Sequence, residues 1–287
     1  MTENLKKTVL SNGRTVYCHN DTEAALVQDQ VQLYFNYGVT LNPGDTVFDV
    51  GANIGLFSLK CQELTSNNAR VFAFEPIPAT YQILKANAES VNPEMITTFN
   101  CGLSDTSGST VFAYNPHHTT LSSAFIDAQS TEEMREQLKT AVLHNFDEIP
   151  QEVFDSRLLF RVLTRLPLFA RKILVDWATR QSFKDVEHLT CELRTVSEII
   201  KEFDIDKVDL LKVDVEKSEL DVLHGIEDQD WPKIQQIVLE IHDLEGRLET
   251  IKSILKKHGL DKITVEQEPT LIDTNVYSLY AIRQSGV

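Results

Sequence analysis

The sequence predicts an α/β fold built on a mostly parallel seven-stranded sheet whose last strand runs antiparallel. Short runs dense in Val, Ile, Leu and Phe alternate with helix-like segments, and these runs are apolar on both faces. Such runs, separated by crossover helices, are typical of a parallel sheet covered on both sides. The final two runs are joined by a loop too short for a helix, so they should form an antiparallel hairpin.

The elements follow one another in a clear order along the chain. KKTVLSNGRTVYCHN indicates a hairpin turning at Ser11, Asn12 and Gly13, and TEAALVQDQVQLYFNY has the apolar spacing of a helix. The seven core strands are TVFDV, RVFAFE, ITTFNCGLS, VDLLKVDV, QIVLEIH, KITVEQEP and VYSLYAIR. We predict one domain over 1–287, comprising an N-terminal hairpin and helix (1–42), a core (43–112 and 191–287) and a helical lid insertion (113–190).

Charge and composition exclude several function classes. The chain has 43 acidic and 27 basic residues, a net charge of -16, which argues against nucleic-acid binding because phosphate neutralisation needs a positive surface. The four cysteines form no C-x-x-C pair, so neither a zinc site nor a disulfide framework is expected. No apolar run approaches the roughly 20 residues of a membrane span, and the N-terminus lacks a signal-peptide core. We expect a cytoplasmic protein.

The stretch VFDVGANIGLF is a strand that breaks into glycines around an asparagine. Gly51 and Gly55 allow a sharp turn and a close approach to a ligand, and Asn53 tolerates left-handed backbone. A helix beginning near Ile54 would point its amides at a ligand carboxylate. Asp49 could accept from a ligand ammonium or from a nearby amide. The alternative is that the glycines serve only close packing of helix on sheet.

Two further acidic positions fit a nucleoside ligand. Glu75 ends the second core strand, 26 residues after Asp49, where such folds bind both ribose hydroxyls. A solvated strand-end carboxylate is the alternative. Ser104 and Asp105 follow the third strand, where such folds contact the adenine amino group, although Asp105 could equally be a turn-former ahead of Gly108.

Five segments carry a family resemblance: VFDVGANIGLFSL, VFAFEPIPATYQILKAN, NCGLSDTSGSTVF, LLKVDVEKSELDVLHG and IVLEIH. In this order they resemble the FkbM-type S-adenosylmethionine-dependent methyltransferases, which have a Rossmann-like class I fold. The resemblance spans about 46–260, apart from the insertion. One departure is Lys217, which stands where the family usually has glycine after the glutamate.

This resemblance implies O-methylation of a hydroxyl on a polyketide, peptide or sugar natural product. The implied cofactor is S-adenosylmethionine, and the residues expected to bind it are Asp49, Gly51, Asn53, Gly55, Glu75, Pro76, Ser104, Asp105 and Asp214.

Methyl transfer requires an acceptor oxygen in line with the methyl group and removal of its proton. Candidate groups should stand at the carboxyl ends of the fourth and fifth core strands. Lys212, Asp214 and Glu216 alternate along one strand, which places them on one face, and Glu240 and His242 alternate along the next. We expect Lys212, Asp214, Glu240 and His242 to be catalytic and Glu216 to contact substrate.

Two mechanisms are open for this set. In one, His242 is a general base with a pKa near neutrality, oriented by Asp214 or Glu240. In the other, Asp214, Glu240 and His242 bind Mg²⁺ or Mn²⁺, which lowers the pKa of the acceptor hydroxyl. A third interpretation is purely structural: Asp214 and Glu240 make hydrogen bonds at the strand ends, and His242 has its own hydrogen-bond partners.

The insertion should determine substrate choice. His117 and His118, in YNPHHTTLSSAF, could contact substrate or serve as an alternative base, or they could be exposed loop residues. From Ser156 to Lys184 the chain has one acidic residue, Asp176, and seven basic ones: Arg157, Arg161, Arg165, Arg171, Lys172, Arg180 and Lys184.

Pro167 should divide this basic stretch into two helices. They could be a lid, a docking face for an acidic carrier protein that delivers the substrate, or, least favoured, a membrane-surface element.

Two alternative functions remain. Glu75 and the glycine turn could serve a nicotinamide dinucleotide in an oxidoreductase, although the terminal hairpin and the missing middle glycine argue against it. The second alternative function is a non-catalytic module of the same fold that only binds the cofactor.

Overall fold

The computed structural model describes residues 5–114, 135–136, 139, 143, 166–182, 186–268, 271–272 and 274–284. Its strands are β1 Lys7–Val9, β2 Thr15–Tyr17, β3 Thr46–Val50, β4 Arg70–Phe74, β5 Ile96–Phe99, β6 Gly102–Leu103, β7 Gly108–Tyr114, β8 Glu187–Arg194, β9 Leu210–Val213, β10 Gln236–His242, β11 Lys262–Glu266 and β12 Val276–Ile282. Its helices are α1 Asp21–Leu33, α2 Leu56–Leu64, α3 Pro78–Val91, α4 Leu168–Ser182, α5 Val196–Glu202, α6 Glu219–His224 and α7 Arg247–Lys257, with a short 3-10 helix at Trp231–Lys233.

The main sheet has seven strands in the order β11-β12-β10-β9-β3-β4-β5. Strands β3, β4, β5, β9 and β10 pair in parallel. The last strand, β12, runs antiparallel between β10 and β11. The predicted α/β class, the strand number and the antiparallel last strand are therefore confirmed.

Apolar side chains cover both faces of this sheet because successive strand residues point to opposite sides. Phe48 and Phe72 belong to one buried cluster, with α5, α6 and α7. Val47 and Val71 belong to the other, with α1, α2 and α3. The runs that are apolar on both faces are thus explained by helices on both sides.

The strand order reverses between β3 and β9, which are adjacent although they are distant in sequence. Asp49 on β3 lies opposite Lys212 on β9, and Val213 lies opposite Leu239 on β10. The carboxyl ends of β3, β9 and β10 therefore meet at one edge. This switch point is where open α/β sheets bind their ligands.

A separate three-stranded sheet, with the order β6-β8-β7, was not predicted. Strand β7 pairs antiparallel with β8 over its whole length. The predicted insertion boundaries at 113 and 190 therefore fall inside strands, and ITTFNCGLS is divided between β5 and β6. Only Phe112 and Tyr114 on β7 and Cys191 on β8 are buried, so these strands lack the apolar density that marks the core.

The predicted N-terminal elements are present. Strands β1 and β2 form the hairpin, with Gly13 at φ +83 in its turn. Helix α1 follows, and the Asn20 side chain caps it by accepting from the Glu23 amide at 2.7 Å. Helix α4 begins directly after Pro167, as expected of a proline at a helix start.

The four cysteines are buried free thiols. Within the described ranges, none of the helices has both the length and the apolar character needed to cross a bilayer.

Candidate active site

The turn between β3 and α2 has the left-handed backbone that its sequence predicts. Gly51, Asn53 and Gly55 have φ angles of +75°, +50° and +89°. A Cβ on Gly51 would lie 1.8 Å from the carbonyl oxygen of Asp214, and one on Gly55 would lie 2.7 Å from Leu84 Cδ1. Close packing against backbone therefore requires glycine at position 51, whereas at position 55 it is the left-handed backbone that favours glycine. The helix starts at Leu56, with Gly55 as its cap, rather than near Ile54.

Glu75 is buried directly behind this turn. One carboxylate oxygen accepts from the Asn53 amide at 3.1 Å and the other from the Ile77 amide at 2.9 Å. Burial raises the pKa of Glu75 to about 7, although the two amide hydrogen bonds oppose the shift. The alternative of a solvated carboxylate is wrong, since Glu75 is 7% exposed. Each oxygen keeps a second lone pair, so the predicted ribose contact is compatible with this arrangement.

The backbone that follows Glu75 is held by one side chain. Asn100 Nδ2 donates to the carbonyl oxygens of Glu75 and Pro76, each at 3.0 Å. Pro76, a predicted cofactor residue, thus lies at the rim of the turn.

Asp49 is fully buried, and its carboxylate is enclosed by protein groups. Oδ2 accepts from Ser58 Oγ at 2.7 Å, and Oδ1 lies 3.3 Å from Lys212 Nζ without a hydrogen bond of good geometry. The direct ligand contact predicted for Asp49 therefore needs correction, because a carboxylate with no exposed surface acts through the groups that it holds.

Lys212 links the turn to the neighbouring strand. Its ammonium donates to the Gly51 carbonyl at 2.7 Å and lies 3.3 Å from Asp49 and 3.5 Å from Asp214. Burial alone would lower the pKa of Lys212, but Asp214 and Asp49 raise it overall. The 3% exposed side chain of Lys212 is committed to these partners, an arrangement that suits a positioning residue. Its predicted catalytic role stays a prediction.

Helix α1 reaches over the carboxyl end of the sheet, a contribution that sequence reasoning missed. The Tyr34 hydroxyl donates to Asp214 Oδ2 at 3.0 Å, and Gln30 Nε2 donates to Glu240 Oε2 at 2.7 Å. The only signal in the sequence is a glutamine and a tyrosine among the apolar positions of this helix. Both contacts join residues about 200 positions apart, so local patterns do not reveal them.

Glu216, Glu240 and His242 form an acidic cluster, the acceptor cluster, at the ends of β9 and β10. One ligand atom from each lies within 4.8 Å of the others. The converging set thus contains Glu216 rather than Asp214 of the predicted set Asp214, Glu240 and His242, and the metal role stays a prediction. Burial raises the pKa of Glu216 to about 7, although the charge of His242 opposes this shift. Burial and the charges of Asp214 and Glu216 raise the pKa of Glu240 well above its usual value.

His242 lies between two carboxylates that favour its charged form. Burial alone would lower its pKa, but the bond from Nδ1 to Glu219, at 2.9 Å, and the charge of Glu216, 3.4 Å from Nε2, raise it to about 9. The prediction of a base with a near-neutral pKa is therefore wrong. The orienting carboxylate is also a different one, Glu219 rather than Asp214 or Glu240.

Glu219 is the functional residue that sequence reasoning missed most clearly. It begins α6 and is fully buried. One oxygen contacts His242 and accepts from the Lys217 amide at 2.8 Å, and the other accepts from Arg247 Nη1 at 2.8 Å. Burial would raise its pKa, but the hydrogen bond and charge of His242 lower it. An acidic residue at a helix start was visible in the sequence; its partners were not.

Ser104 and Asp105 lie in the loop between β6 and β7. Asp105 Oδ1 accepts from the hydroxyls of Ser104 at 3.3 Å and Thr106 at 3.2 Å. A Cβ on Gly225 would lie 2.1 Å from the Ser104 carbonyl oxygen, so this loop packs closely on the end of α6. The geometry matches the turn-forming alternative for Asp105, and the adenine contact stays a prediction.

Two other places do not add to the site. An open polar groove runs past Thr46, Arg70 and Asp209, at the amino ends of the strands, opposite the edge where parallel sheets bind ligands. His117 and His118 lie outside the described residues, so their predicted substrate role is untested.

Comparison with known proteins gives one family. The model of the FkbM methyltransferase domain matches residues 49–158 and 164–261. The 31-O-demethyl-FK506 methyltransferase FkbM of Streptomyces tacrolimicus is 33% identical over 281 residues, 96% of each chain. The AMB antimetabolite synthetase AmbE of Pseudomonas aeruginosa is 31% identical over 293 residues, 96% of this chain but 12% of the synthetase.

A solved structure shows the same fold. The crystal structure of a methyltransferase FkbM from Methylobacillus flagellatus superposes with a TM-score of 0.51 at 17% identity, covering 88% of this chain and 47% of that one.

Proposed function

The chain belongs to the FkbM methyltransferase family, and from that premise we propose that it transfers a methyl group from S-adenosylmethionine to a hydroxyl oxygen of a polyketide, peptide or sugar natural product. The observation that carries the proposal is the acceptor cluster, which lies at the carboxyl ends of β9 and β10 beside the glycine turn. The Streptomyces relative is named for a 31-O-demethyl substrate, which supports oxygen as the acceptor atom. The oxidoreductase alternative loses its basis with the family match.

The residues around the turn fit the cofactor. The carboxylate oxygens of Glu75 could accept hydrogen bonds from the two ribose hydroxyls. Burial disfavours the charged form of Glu75, and hydrogen bonds from the ribose would favour it. Asp214, with a 22% exposed side chain, is placed to accept from the cofactor ammonium. Ser104 and Asp105 offer oxygens to an adenine amino group. When bound, S-adenosylmethionine supplies a methyl group on a sulfonium leaving group.

Glu216 is the best-placed proton acceptor. Its pKa of about 7 leaves it about half ionised at neutral pH, and its side chain is 20% exposed. His242, held as a cation by Glu219, lies 3.4 Å from Glu216 and would stabilise negative charge developing on the acceptor oxygen. In this proposal Glu216 takes the hydroxyl proton and His242 supplies the positive field.

A divalent cation is a second way to activate the hydroxyl. Glu216, Glu240 and His242 would hold Mg²⁺ or Mn²⁺, and their convergence within 4.8 Å is the observation that favours it. The ion would lower the pKa of the acceptor hydroxyl. His242 would have to lose its proton to bind, so this version requires metal-dependent activity that rises with pH. Turnover that is unchanged by chelator and by added metal would exclude it.

We propose an acidic carrier protein as the partner that presents the acceptor. Helix α4 exposes Leu168, Phe169, Ile173 and Trp177 together with Lys172 and Arg180. Its one acidic residue, Asp176, pairs with Arg180 of the same helix at 2.9 Å and with Arg135 at 2.8 Å. The helix still has a net positive charge, because Arg171 and Lys172 add to Arg180. The match to part of a synthetase supports a carrier context. A cytoplasmic location belongs to the same proposal.

Salt dependence tests the carrier. Raising sodium chloride from 50 to 500 mM should reduce turnover on a carrier-bound acceptor and leave a free acceptor nearly unaffected, since screening weakens only steering between charged partners. Lys172→Glu should weaken the carrier reaction, whereas Lys256→Glu, on exposed α7, is the matched control. Equal salt responses for both acceptors would remove the carrier from the proposal.

Cofactor titration tests the function itself. We expect S-adenosylmethionine to bind the protein in calorimetry and Glu75→Ala to lose about 100-fold in affinity, because two charge-assisted hydrogen bonds disappear. A labelled methyl group should then appear on a hydroxylated acceptor. Folded protein that binds the cofactor but labels no acceptor in a broad panel would favour the non-catalytic alternative. Folded protein without cofactor binding would contradict the proposal.

A further inference from the structure

Lys217 is a buried lysine that the mechanism above does not use. It follows Glu216 in the turn between β9 and α6 and is 4% exposed. Across the described part of the chain, its ammonium forms no hydrogen bond or ion pair. Its recorded electrostatic effect is on Glu216, whose pKa it lowers. The ammonium is not one of the fully enclosed atoms that lack a partner among the described residues, so the tip of this otherwise buried side chain reaches solvent without a bonded counter-charge.

The backbone conformation at Lys217 is also unusual for a lysine. Lys217 has φ +79°, directly after Glu216 at φ +46°, in the left-handed region that favours glycine. The conformation is held from both sides: the Lys217 amide donates to Glu219 Oε1 at 2.8 Å, and Arg247 Nη1 donates to the Lys217 carbonyl. Glycine would satisfy both backbone contacts with less strain. The fold therefore does not account for a lysine here.

The partners of the neighbouring cations indicate a role for the Lys217 ammonium. The neighbouring cations are committed, since Lys212 lies between Asp49 and Asp214, and Arg247 contacts Glu219. Lys217 follows Glu216 in the chain and acts on its charge, and within the described ranges its ammonium has no bonded partner. An anionic group on a bound molecule would supply the missing counter-charge.

We infer that Lys217 is a specificity-determining residue that binds an anionic group, a carboxylate or a phosphate, on the methyl acceptor. The inference rests on the proposed function and narrows its substrate to a hydroxylated molecule with a negative charge near the reacting hydroxyl. Two sources have this chemistry: the carboxylate of a free hydroxy acid and the phosphodiester of a carrier arm.

The test compares the unmodified protein with three variants by calorimetry, with and without saturating S-adenosylhomocysteine. Lys217→Gly removes the ammonium and suits the left-handed backbone, so it should fold, and Lys217→Arg keeps a cation. Asp204→Gly is the matched control, because Asp204 is an exposed non-glycine residue at φ +49° near the opposite edge of the sheet. Hexanoate probes the carboxylate source and dimethyl phosphate the phosphodiester source.

We expect the unmodified protein and Asp204→Gly to bind one of these anions, Lys217→Gly to lose at least about tenfold in affinity, and Lys217→Arg to recover part of it. Affinity for S-adenosylhomocysteine should be equal in all of them. The better anion identifies the source. Equal anion affinity in Lys217→Gly, or no anion binding by the unmodified protein, would overturn the inference.

Turnover separates this inference from the function on which it rests. With 3-hydroxyoctanoate and its amide as matched acceptors, Lys217→Gly should raise KM for the acid far more than for the amide. If S-adenosylhomocysteine binds to none of the proteins, the proposed function fails, while the anion titration without cofactor still decides the role of Lys217. If the cofactor binds but anion affinity ignores Lys217, only the present inference fails.

Discussion

Two adjacent regions of the sheet edge have opposite designs. The cofactor turn, residues 49–55 with Glu75, is closed by backbone groups: amides bind Glu75, and the Gly51 carbonyl binds Lys212. The acceptor edge, residues 214–219 with Glu240 and His242, is made of charged side chains. There Glu240 is held by a neutral glutamine, and Lys217 is buried in strained backbone.

This difference shows where the protein accepts an energetic cost. The cofactor turn is pre-formed and leaves only acceptor oxygens for its ligand. The acceptor edge holds carboxylates with raised pKa values and a cation without a bonded partner, an arrangement that a substrate can improve. In the proposed function, cofactor binding therefore depends mainly on backbone groups and the choice of acceptor on side chains.

The largest expected effect is on stability, at Gly51, where the cofactor turn packs against the acceptor edge. Gly51→Ala would place a Cβ 1.8 Å from the Asp214 carbonyl oxygen, so we expect it to lose at least about 5 kcal/mol of unfolding free energy or to fail to fold. Urea denaturation measures this. Gly13→Ala is the matched control, since Gly13 has φ +83° but nothing within 4 Å, and it should lose only about 1 kcal/mol. Equal losses would mean that the two regions are not rigidly joined.

Glu219→Gln tests whether the acceptor edge depends on one buried carboxylate. Removing its charge leaves Arg247 and His242 with a neutral partner, so we expect a loss of about 4 kcal/mol in stability and about 100-fold in turnover. The pKa of His242 should fall below about 9 in an NMR titration.

The cofactor side should not respond to this change, and affinity for S-adenosylhomocysteine should stay within about threefold. Glu198→Gln, at an exposed position in the first turn of α5, should cost at most about 1 kcal/mol and leave turnover intact. An unchanged His242 titration in Glu219→Gln would remove Glu219 from the acceptor edge.

The pH dependence of stability tests the cofactor turn. The pKa of Glu75 is raised from 4.5 to about 7, so the folded state binds more protons than the unfolded state between these values. Stability from this group is complete below about pH 4.5 and is lost as pH rises through 7, by up to about 3 kcal/mol.

The cofactor-free protein should therefore lose stability relative to Glu75→Gln between pH 5 and pH 8 in chemical denaturation. Glutamine does not titrate, so the difference isolates Glu75 from the acidic groups of the acceptor edge. A difference that stays constant with pH would show that Glu75 is ionised throughout.

The smallest expected effect concerns the bridge from α1 to the acceptor edge. Tyr34→Phe removes the hydrogen bond to Asp214 and should cost about 1 kcal/mol in thermal unfolding, with a modest loss of cofactor affinity. Tyr280→Phe is the control, because its hydroxyl donates to the Leu33 carbonyl, away from Asp214. It should lower stability similarly without changing cofactor affinity. Equal cofactor affinity in both variants would show that α1 covers the edge without tuning it.

The core strands and the terminal hairpin were predictable because burial on both faces leaves a dense apolar pattern, and a short loop forces antiparallel pairing. The cofactor turn was predictable because left-handed backbone selects glycine and asparagine, and the structure has that backbone at all three positions. Strands β7 and β8 escaped prediction because few of their residues are buried.

The acceptor edge was only partly predictable, because the backbone leaves strand geometry just after β9. Alternation placed Lys212, Asp214 and Glu216 on one face, but β9 ends at Val213, and the left-handed backbone at Glu216 departs from strand geometry. Glu216 therefore joins His242, while Asp214 pairs with Tyr34 and Lys212.

By itself the sequence determined the fold class, the glycine turn and the acidic residues from which the site is made, because these follow from periodicity and backbone preference. Only the tertiary structure decided which carboxylate holds His242, that Lys212 and Asp49 are enclosed, and that Lys217 is buried without a bonded partner. The physical reason is that pKa and charge pairing depend on burial and on neighbours from distant elements, which no local pattern records.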